Sequence, residues 1–248
     1  MISDYSTYEN YVSTILASGD VTDTAFKSNP AYTYVLEHVS PAFGHQYLEL
    51  IKASTSLSLD DVKRFCQIND SIGNPAKCVM MDVYASPSSL RYVYHAHLLL
   101  THIKNLGLAE CDIVEVGAGY GGLFLCVDFL HETYGIAVKS YTMVDLELPN
   151  QLQAMYISKF TTKIVSKFVD SRNYGAEVEG LSLVLVSNYC FSEIEEKHRA
   201  GYIATLMPKV AHGFMCWNHI PVVDFGFPVN ICDEVPLTGD NFNKYVSF

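Results

Sequence analysis

The spacing of apolar positions changes character near residue 105. Before it the period is helical: Tyr8, Tyr11, Val12, Ile15 and Leu16 recur at helical spacing. Ser58 with Asp60 and Asp61 reads as an N-cap with acids in the first turn, and Val62, Phe65 and Cys66 extend the apolar stripe. Ser86-Pro87 opens another helix, with proline at its first position, running through Leu90, Val93, Tyr94 and Leu98 to Ile103 and stopping near Gly107. Ile72 to Pro75 reads as a turn between the two. From Asp112 onward, candidate strands at 112–116, 139–145, 164–169, 182–187 and 213–218 alternate with helically patterned segments at 120–134, 149–160 and 192–207. That alternation predicts right-handed βαβ units and an α/β fold with a largely parallel sheet. The tail from about Val222, with Pro228 and Pro236, has short β-prone pieces suited to an antiparallel C-terminal hairpin. The expected organisation is a helical N-terminal cap or extension at 1–107, packing on an α/β core at 108–248.

The junction between strand 112–116 and the next helix carries the most information. Ile113, Val114 and Val116 are apolar, Glu115 is an acid among them, and glycines follow at 117, 119, 121 and 122. Glycines permit a tight turn and close backbone approach to a ligand, while the helix N-terminus offers N–H groups to it. This is how a doubly wound sheet begins a nucleotide site.

Composition narrows the partners. A net charge of −11 argues against non-specific nucleic-acid binding, which needs a basic face. The longest apolar runs fall short of the ~20 residues of a bilayer span. Met1 to Tyr5 lacks the basic and apolar regions of a signal peptide, so a cytoplasmic location is expected. The seven cysteines (66, 78, 111, 126, 190, 216 and 232) include no Cys-x-x-Cys pair and read as reduced thiols. A homo-oligomer is compatible with the chain.

Gly117-x-Gly119-x-x-Gly122 formally satisfies the dinucleotide fingerprint, which alone is weak. Glu115, two residues before the first glycine, is unusual for NAD and suits a ligand with a cationic or amine group, such as S-adenosylmethionine (SAM). Tyr141 to Asp145 reads as the next strand, ending in an acid able to bind ribose hydroxyls; Asp145 also fits an N-cap for segment 149–160. Asp170 and Ser171, at the third strand end, can meet an adenine edge or simply form a turn. Ser187 and Asn188, at the fourth, place small polar groups under a cofactor. Spacing favours SAM over NAD, and no Tyr-x-x-x-Lys relay stands downstream of the fourth strand.

These segments resemble the sugar O-methyltransferases of the class I, SAM-dependent type. The likeness rests on Asn69–Pro75, Ser86–Tyr92, Ile113–Gly122, Tyr141–Pro149 and Val186–Glu193, with Gly213–Ile220 resembling the fifth-strand motif. The Gly-Tyr-Gly-Gly ending, the Ser-Pro-x-x-Leu-Arg-Tyr helix start and Ser-Asn-Tyr-x-Phe-Ser-Glu are the restrictive parts. Ala118 and Cys190 depart mildly, standing where such patterns have glycine and alanine. The resemblance implies a Rossmann-like class I methyltransferase core, SAM as cofactor, and methyl transfer to a sugar hydroxyl of a nucleotide-sugar or glycan. A different small-molecule acceptor and an NAD-dependent oxidoreductase are the alternatives. A nucleic-acid acceptor is disfavoured by the charge and by the lack of an Asn/Asp-Pro-Pro-Tyr/Phe signature.

Methyl transfer to an alcohol needs alignment and removal of the hydroxyl proton. Ligands bind beyond the carboxyl ends of the strands, so the base belongs after strand four or five or on the cap. His219, just after strand five, ranks first, since histidine titrates near neutrality. Glu193 is second and Asp82 third; each also has a purely structural reading. Ser88, Ser89, Arg91 and Tyr92 are expected to close over the methionine end of SAM, with Arg91 pairing its carboxylate. Gly117, Ala118, Gly119, Tyr120 and Gly121 would form the turn around it, and Leu146 would flank Asp145 at the adenosine. His95, His97 and His102 lack ligand spacing, so no metal site is expected from them. Mg²⁺ on Asp82, Asp145, Asp170 or Glu193 stays open.

Overall fold

The computed structural model describes residues 5–54 and 57–248; Met1 to Asp4, part of the segment checked for a leader, lie outside them. Contacts divide the chain into two units, Met1–Leu98 with Gly119–Thr133 and Gln151–Thr162, and Leu99–Ala118 with Tyr134–Asn150 and Lys163–Phe248.

In the first unit, α1 (Tyr5–Ala17), α2 (Pro30–Thr33), α3 (Pro41–Ala53) and α4 (Leu59–Asn69) follow one another. Ser58 caps α4 as its sequence suggests, its Oγ accepting from the Asp61 N–H at 3.1 Å. The stretch before residue 105 is not helical throughout. β1 (Cys78–Met80) and β2 (Val83–Ala85) form an antiparallel hairpin before α5 (Pro87–Asn105). With three residues per strand, it left no periodicity to detect. The core is aromatic: Phe26, Tyr32, Tyr47, Tyr120 and Tyr156 have no exposed surface.

All seven strands of the large sheet lie in the second unit: β3 (Glu110–Val116), β4 (Ala137–Asp145), β5 (Val165–Asp170), β6 (Leu183–Asn188), β7 (His212–Trp217), β8 (Asn230–Asp233) and β9 (Lys244–Ser247). Their order is β5-β4-β3-β6-β7-β9-β8. The first five are parallel, while β9 pairs antiparallel with both β7 and β8. The chain links successive parallel strands through α6 (Gly122–Leu130), α7 (Glu147–Ile157) and the pair α8 (Cys190–Glu193) and α9 (Glu196–Thr205). The fold is therefore the expected α/β class, a mostly parallel Rossmann-like sheet with an antiparallel C-terminal hairpin. Val114, Val116, Leu185, Met215 and Trp217 from the strands pack with Phe191, Tyr202 and Leu206. From β3 the chain winds out to β4 and β5, then returns to β6 on the other side. That reversal makes the carboxyl ends of β3 and β6 a switch point, where such sheets open a crevice.

Candidate cofactor site

At the switch point β3 delivers Glu115, then Gly117 and Ala118. Gly117 has φ +78° and its N–H donates to the Val144 carbonyl at 3.1 Å. A Cβ at Gly117 would run into Cys190 at the start of α8, so glycine is required by both backbone and space. Glu115 is buried and accepts from the Tyr141 hydroxyl at 2.8 Å. Burial pushes its carboxyl up to about 8, the Tyr141 bond opposing and the Asp145 charge adding.

Asp145 closes β4. Its Oδ2 accepts from the Ala118 N–H at 3.0 Å and its Oδ1 from the Leu146 N–H at 2.9 Å, tying the carboxylate to the glycine turn. Asn150 donates to the carbonyls of Asp145 (3.1 Å) and Val169 (2.9 Å), fixing the ends of β4 and β5 together. Asp170 caps a short turn: its Oδ1 accepts from the Arg172 N–H at 2.8 Å, and the Arg172 side chain holds its carboxyl below the usual range. Ser171 opens that turn, and Leu146 is half exposed beside Asp145.

β6 ends in Ser187 and Asn188. Ser187 donates to the Val116 carbonyl (2.8 Å) and accepts from the Phe191 N–H (3.1 Å), so its hydroxyl joins β3 to α8. The Asn188 Oδ1 is buried with no hydrogen-bond partner, an acceptor left for a ligand donor. Burial pushes the Cys190 thiol well up, and the charges of Asp145, Glu193 and Glu115 add to it. Glu193 accepts from Asn218 at 2.7 Å, and the His219 Nε2 lies 3.6 Å from the same carboxylate. His219 has φ +62° and its side chain is 67% exposed, so the imidazole faces outward beside Glu193.

Asp82 is in the first unit, at the β1–β2 turn, with Lys52 at 3.5 Å and Lys63 at 3.8 Å. The structure thus brings His219 and Glu193 together, and Asp82 belongs to different surroundings.

The remaining predicted residues belong to a buried polar network of the first unit. Gly119 and Gly121 have φ +59° and +93°. Between them Tyr120 donates to Glu37 Oε1 at 2.9 Å and accepts from Asn69 Nδ2 at 3.1 Å. Ser89 donates to Asp70 at 2.6 Å and accepts from Asn69 at 2.8 Å. Tyr92 meets the Tyr120 ring edge-on at 5.7 Å, and Arg91 acts electrostatically on Glu37. Lys27, fully buried, donates to the Asn69 carbonyl (2.6 Å) and the Tyr156 hydroxyl (3.0 Å) and sits 4.3 Å over the Tyr120 ring. Burial lowers Lys27 to about 8, against the charges of Glu37 and Asp70. Gln153 donates to the Gly119 carbonyl at 3.0 Å.

Lys27, Glu37, Asn69, Tyr156 and Gln153 escaped sequence reasoning. Asn69 had a signal, since it opens one of the resembling segments; Glu37 and Lys27 meet partners 83 and 129 residues away. Burial and Arg91 pull His95 down to about 3. Among the described residues no three His, Cys, Asp or Glu side chains form a group able to hold a metal. No helix among them is long and apolar enough to cross a membrane.

No family model matches the sequence. No curated protein matches it either. Among solved structures, the chain is similar to a SAM-dependent methyltransferase from Aquifex aeolicus (TM-score 0.46, 13% identity, 61% of this chain and 87% of that one). It is also similar to the methyltransferase domain of bacterial CtHen1 (TM-score 0.45, 10%, 62% and 96%). A third is an rRNA methylase from Streptococcus thermophilus (TM-score 0.43, 12%, 61% and 92%). Scores below 0.5 leave any assignment of function to the residues of the chain itself.

Proposed function

We propose that the protein is a SAM-dependent O-methyltransferase acting on a hydroxyl of a sugar, in a nucleotide-sugar or a glycan. The observation that supports this best is the set of groups at the carboxyl ends of β3, β4 and β6. A buried acid (Glu115), a glycine turn, a ribose-type carboxylate (Asp145) and an unpartnered amide oxygen (Asn188) stand together there. They fit a nucleoside joined to a cationic amino acid better than a dinucleotide. Asp145 would take the ribose hydroxyls, with Leu146, Asp170 and Ser171 near the base. Glu115 and Asn188 would take donors at the amino-acid end. Gly117 and Ala118 let the backbone approach.

Bound there, SAM would supply an electrophilic methyl on a sulfonium. His219, just after β7, is placed to take the proton of the acceptor hydroxyl, whose oxygen would then accept that methyl while sulfur kept the bonding pair. Glu193 stands 3.6 Å from the imidazole Nε2 and would orient it. The net charge of −11 favours a sugar over a polyanionic acceptor. Seven free thiols fit a reducing, cytoplasmic compartment. A panel of nucleotide-sugars and short oligosaccharides with tritiated SAM tests the reading. His219→Ala is expected to lower kcat by about 10²–10⁴ with SAM affinity kept. Full turnover in both His219→Ala and Glu193→Ala removes this pair as the base.

A further inference from the structure

The β8–β9 connection, residues 234–243, lies at the carboxyl end of the parallel strands, because Lys244 at the start of β9 pairs with Trp217 at the end of β7. Glu234 opens that connection and is 3% exposed. Its Oε2 accepts from the Thr238 N–H (2.8 Å), the Thr238 hydroxyl (2.8 Å) and the Asn243 amide (2.9 Å), which closes the loop on itself. Its Oε1 accepts from the hydroxyl of Tyr189, 45 residues earlier and just past the end of β6. All four donors are neutral, and a buried carboxylate is costly unless it is well bonded. Three of these bonds stay inside the loop; the fourth leaves it.

Tyr189 has a φ of +68°, in the region that favours glycine, and a bulky residue keeps such a conformation only where its surroundings over-determine it. Its N–H donates to the Cys216 carbonyl of β7 at 2.7 Å, and its carbonyl accepts from the Ser192 hydroxyl at 2.7 Å. Ser192 in turn accepts from the Asn218 N–H at 3.1 Å, and the Asn218 amide donates to Glu193 at 2.7 Å. The His219 Nε2 is 3.6 Å from that carboxylate. Tyr189 is also the residue from which α8 departs, and Glu193 is the last residue of α8. The Tyr189 backbone therefore sets where Glu193 stands, while its side chain is tied to the Glu234 loop. Glycine would adopt the same φ without strain, so what the tyrosine adds at this turn is its ring and its bond to Glu234.

We infer that Glu234 is a positioning residue for the Glu193–His219 pair and acts through Tyr189. Its carboxylate clasps the phenol, fixes the turn between β6 and α8, and so holds Glu193 against Asn218 beside His219. This role rests on the reading of that pair as the proton-accepting site. The cofactor side is expected to be indifferent to the clasp. Ser187 secures the end of β6 independently, through the Val116 carbonyl (2.8 Å) and the Phe191 N–H (3.1 Å).

Variants of the full chain test it. Tyr189→Phe removes the clasping hydroxyl, Glu234→Gln removes the carboxylate, and Thr238→Val removes a donor to Glu234 that stays inside the loop. For each, turnover on the responding acceptor of the sugar panel, SAM titration and the Asn218 side-chain amide signal in ¹H–¹⁵N NMR are measured. Tyr189→Phe and Glu234→Gln are expected to lower kcat about tenfold, part of the ~10² that a misplacement of about 1 Å can cost. Both should leave SAM affinity unchanged and move the Asn218 amide signal. Thr238→Val should lower the melting temperature yet leave kcat and the amide signal in place. The double variant Tyr189→Phe/Glu234→Gln should lose no more kcat than either single one. An unmoved amide signal in folded Tyr189→Phe, or equal kcat losses in Thr238→Val and Tyr189→Phe, would overturn the assignment. Should Tyr189→Phe not fold, Glu234→Gln and Thr238→Val carry the same comparison. If no acceptor is methylated, or His219→Ala keeps full turnover, the base assignment fails, and the amide signal still decides whether the clasp holds Glu193.

Discussion

Glu115 is a buried carboxyl held by one neutral donor, the Tyr141 hydroxyl, with the charge of Asp145 nearby. Its ordinary value of 4.5 rises to about 8 in the fold. Between these values the native state binds more protons than the unfolded chain, so this group's contribution to stability falls as pH rises through that window. Scanning calorimetry should find Glu115→Gln gaining on the native protein from pH 5 to pH 8; a constant difference contradicts the shift. A cation bound beside Glu115 favours its ionised form. SAM affinity should therefore increase with pH toward about 8 and binding at pH 7 should release protons, both effects disappearing in Glu115→Gln. Gly117 gives a second residue-level test. Gly117→Ala forces a Cβ against Cys190 at φ +78° and is expected to cost about 2–3 kcal/mol. Cys190→Gly in the same chain should return part of that loss, leaving the backbone strain, in a urea-unfolding cycle. Strict additivity of the two substitutions would mean that the contact does not set the requirement.

Strands and helices were legible wherever an element is long enough to show its period. The starts and ends of β3 to β7 lie within two residues of those expected. β3, β4, β6 and β7 are parallel, largely buried strands that read as apolar runs, while the edge strand β5 has no buried residue and mixes polar with apolar positions. The hairpin at Cys78–Ala85 was hidden by its length, and by Val79 and Tyr84 pointing outward. The helical patterning of segment 192–207 falls on two helices, α8 and α9, with a break at Ile194, whose ψ of 135° is extended. In the first unit the elements are held by a buried lysine that no local pattern announces. Lys27→Ala removes the cation facing Glu37 and Asp70 and opens space among Phe26, Tyr120 and Tyr156, so a loss of about 3 kcal/mol or more is expected in urea unfolding. Lys27→Met keeps most of the volume and avoids burying a charge, and should cost clearly less; equal losses would assign the effect to the charge alone.

At the scale of the molecule, the sheet order β5-β4-β3-β6-β7-β9-β8 explains why the cofactor side was readable and the acceptor side was not. Glu115, Gly117 and Asp145 are close in sequence to the strands that place them, so period and spacing reveal them. Residues such as Glu37 reach their partners only through the tertiary fold, and residues 1–60 carry no motif to mark them. The central claim is that the switch-point groups receive SAM. Titration calorimetry against SAM, its demethylated product and NAD tests this on the native chain and on Asp145→Ala. The account predicts that SAM and its product bind while NAD does not, and that Asp145→Ala weakens SAM about 10- to 100-fold, the value of charge-assisted hydrogen bonds. Binding of NAD without SAM, or unchanged SAM affinity in a folded Asp145→Ala protein, would contradict it.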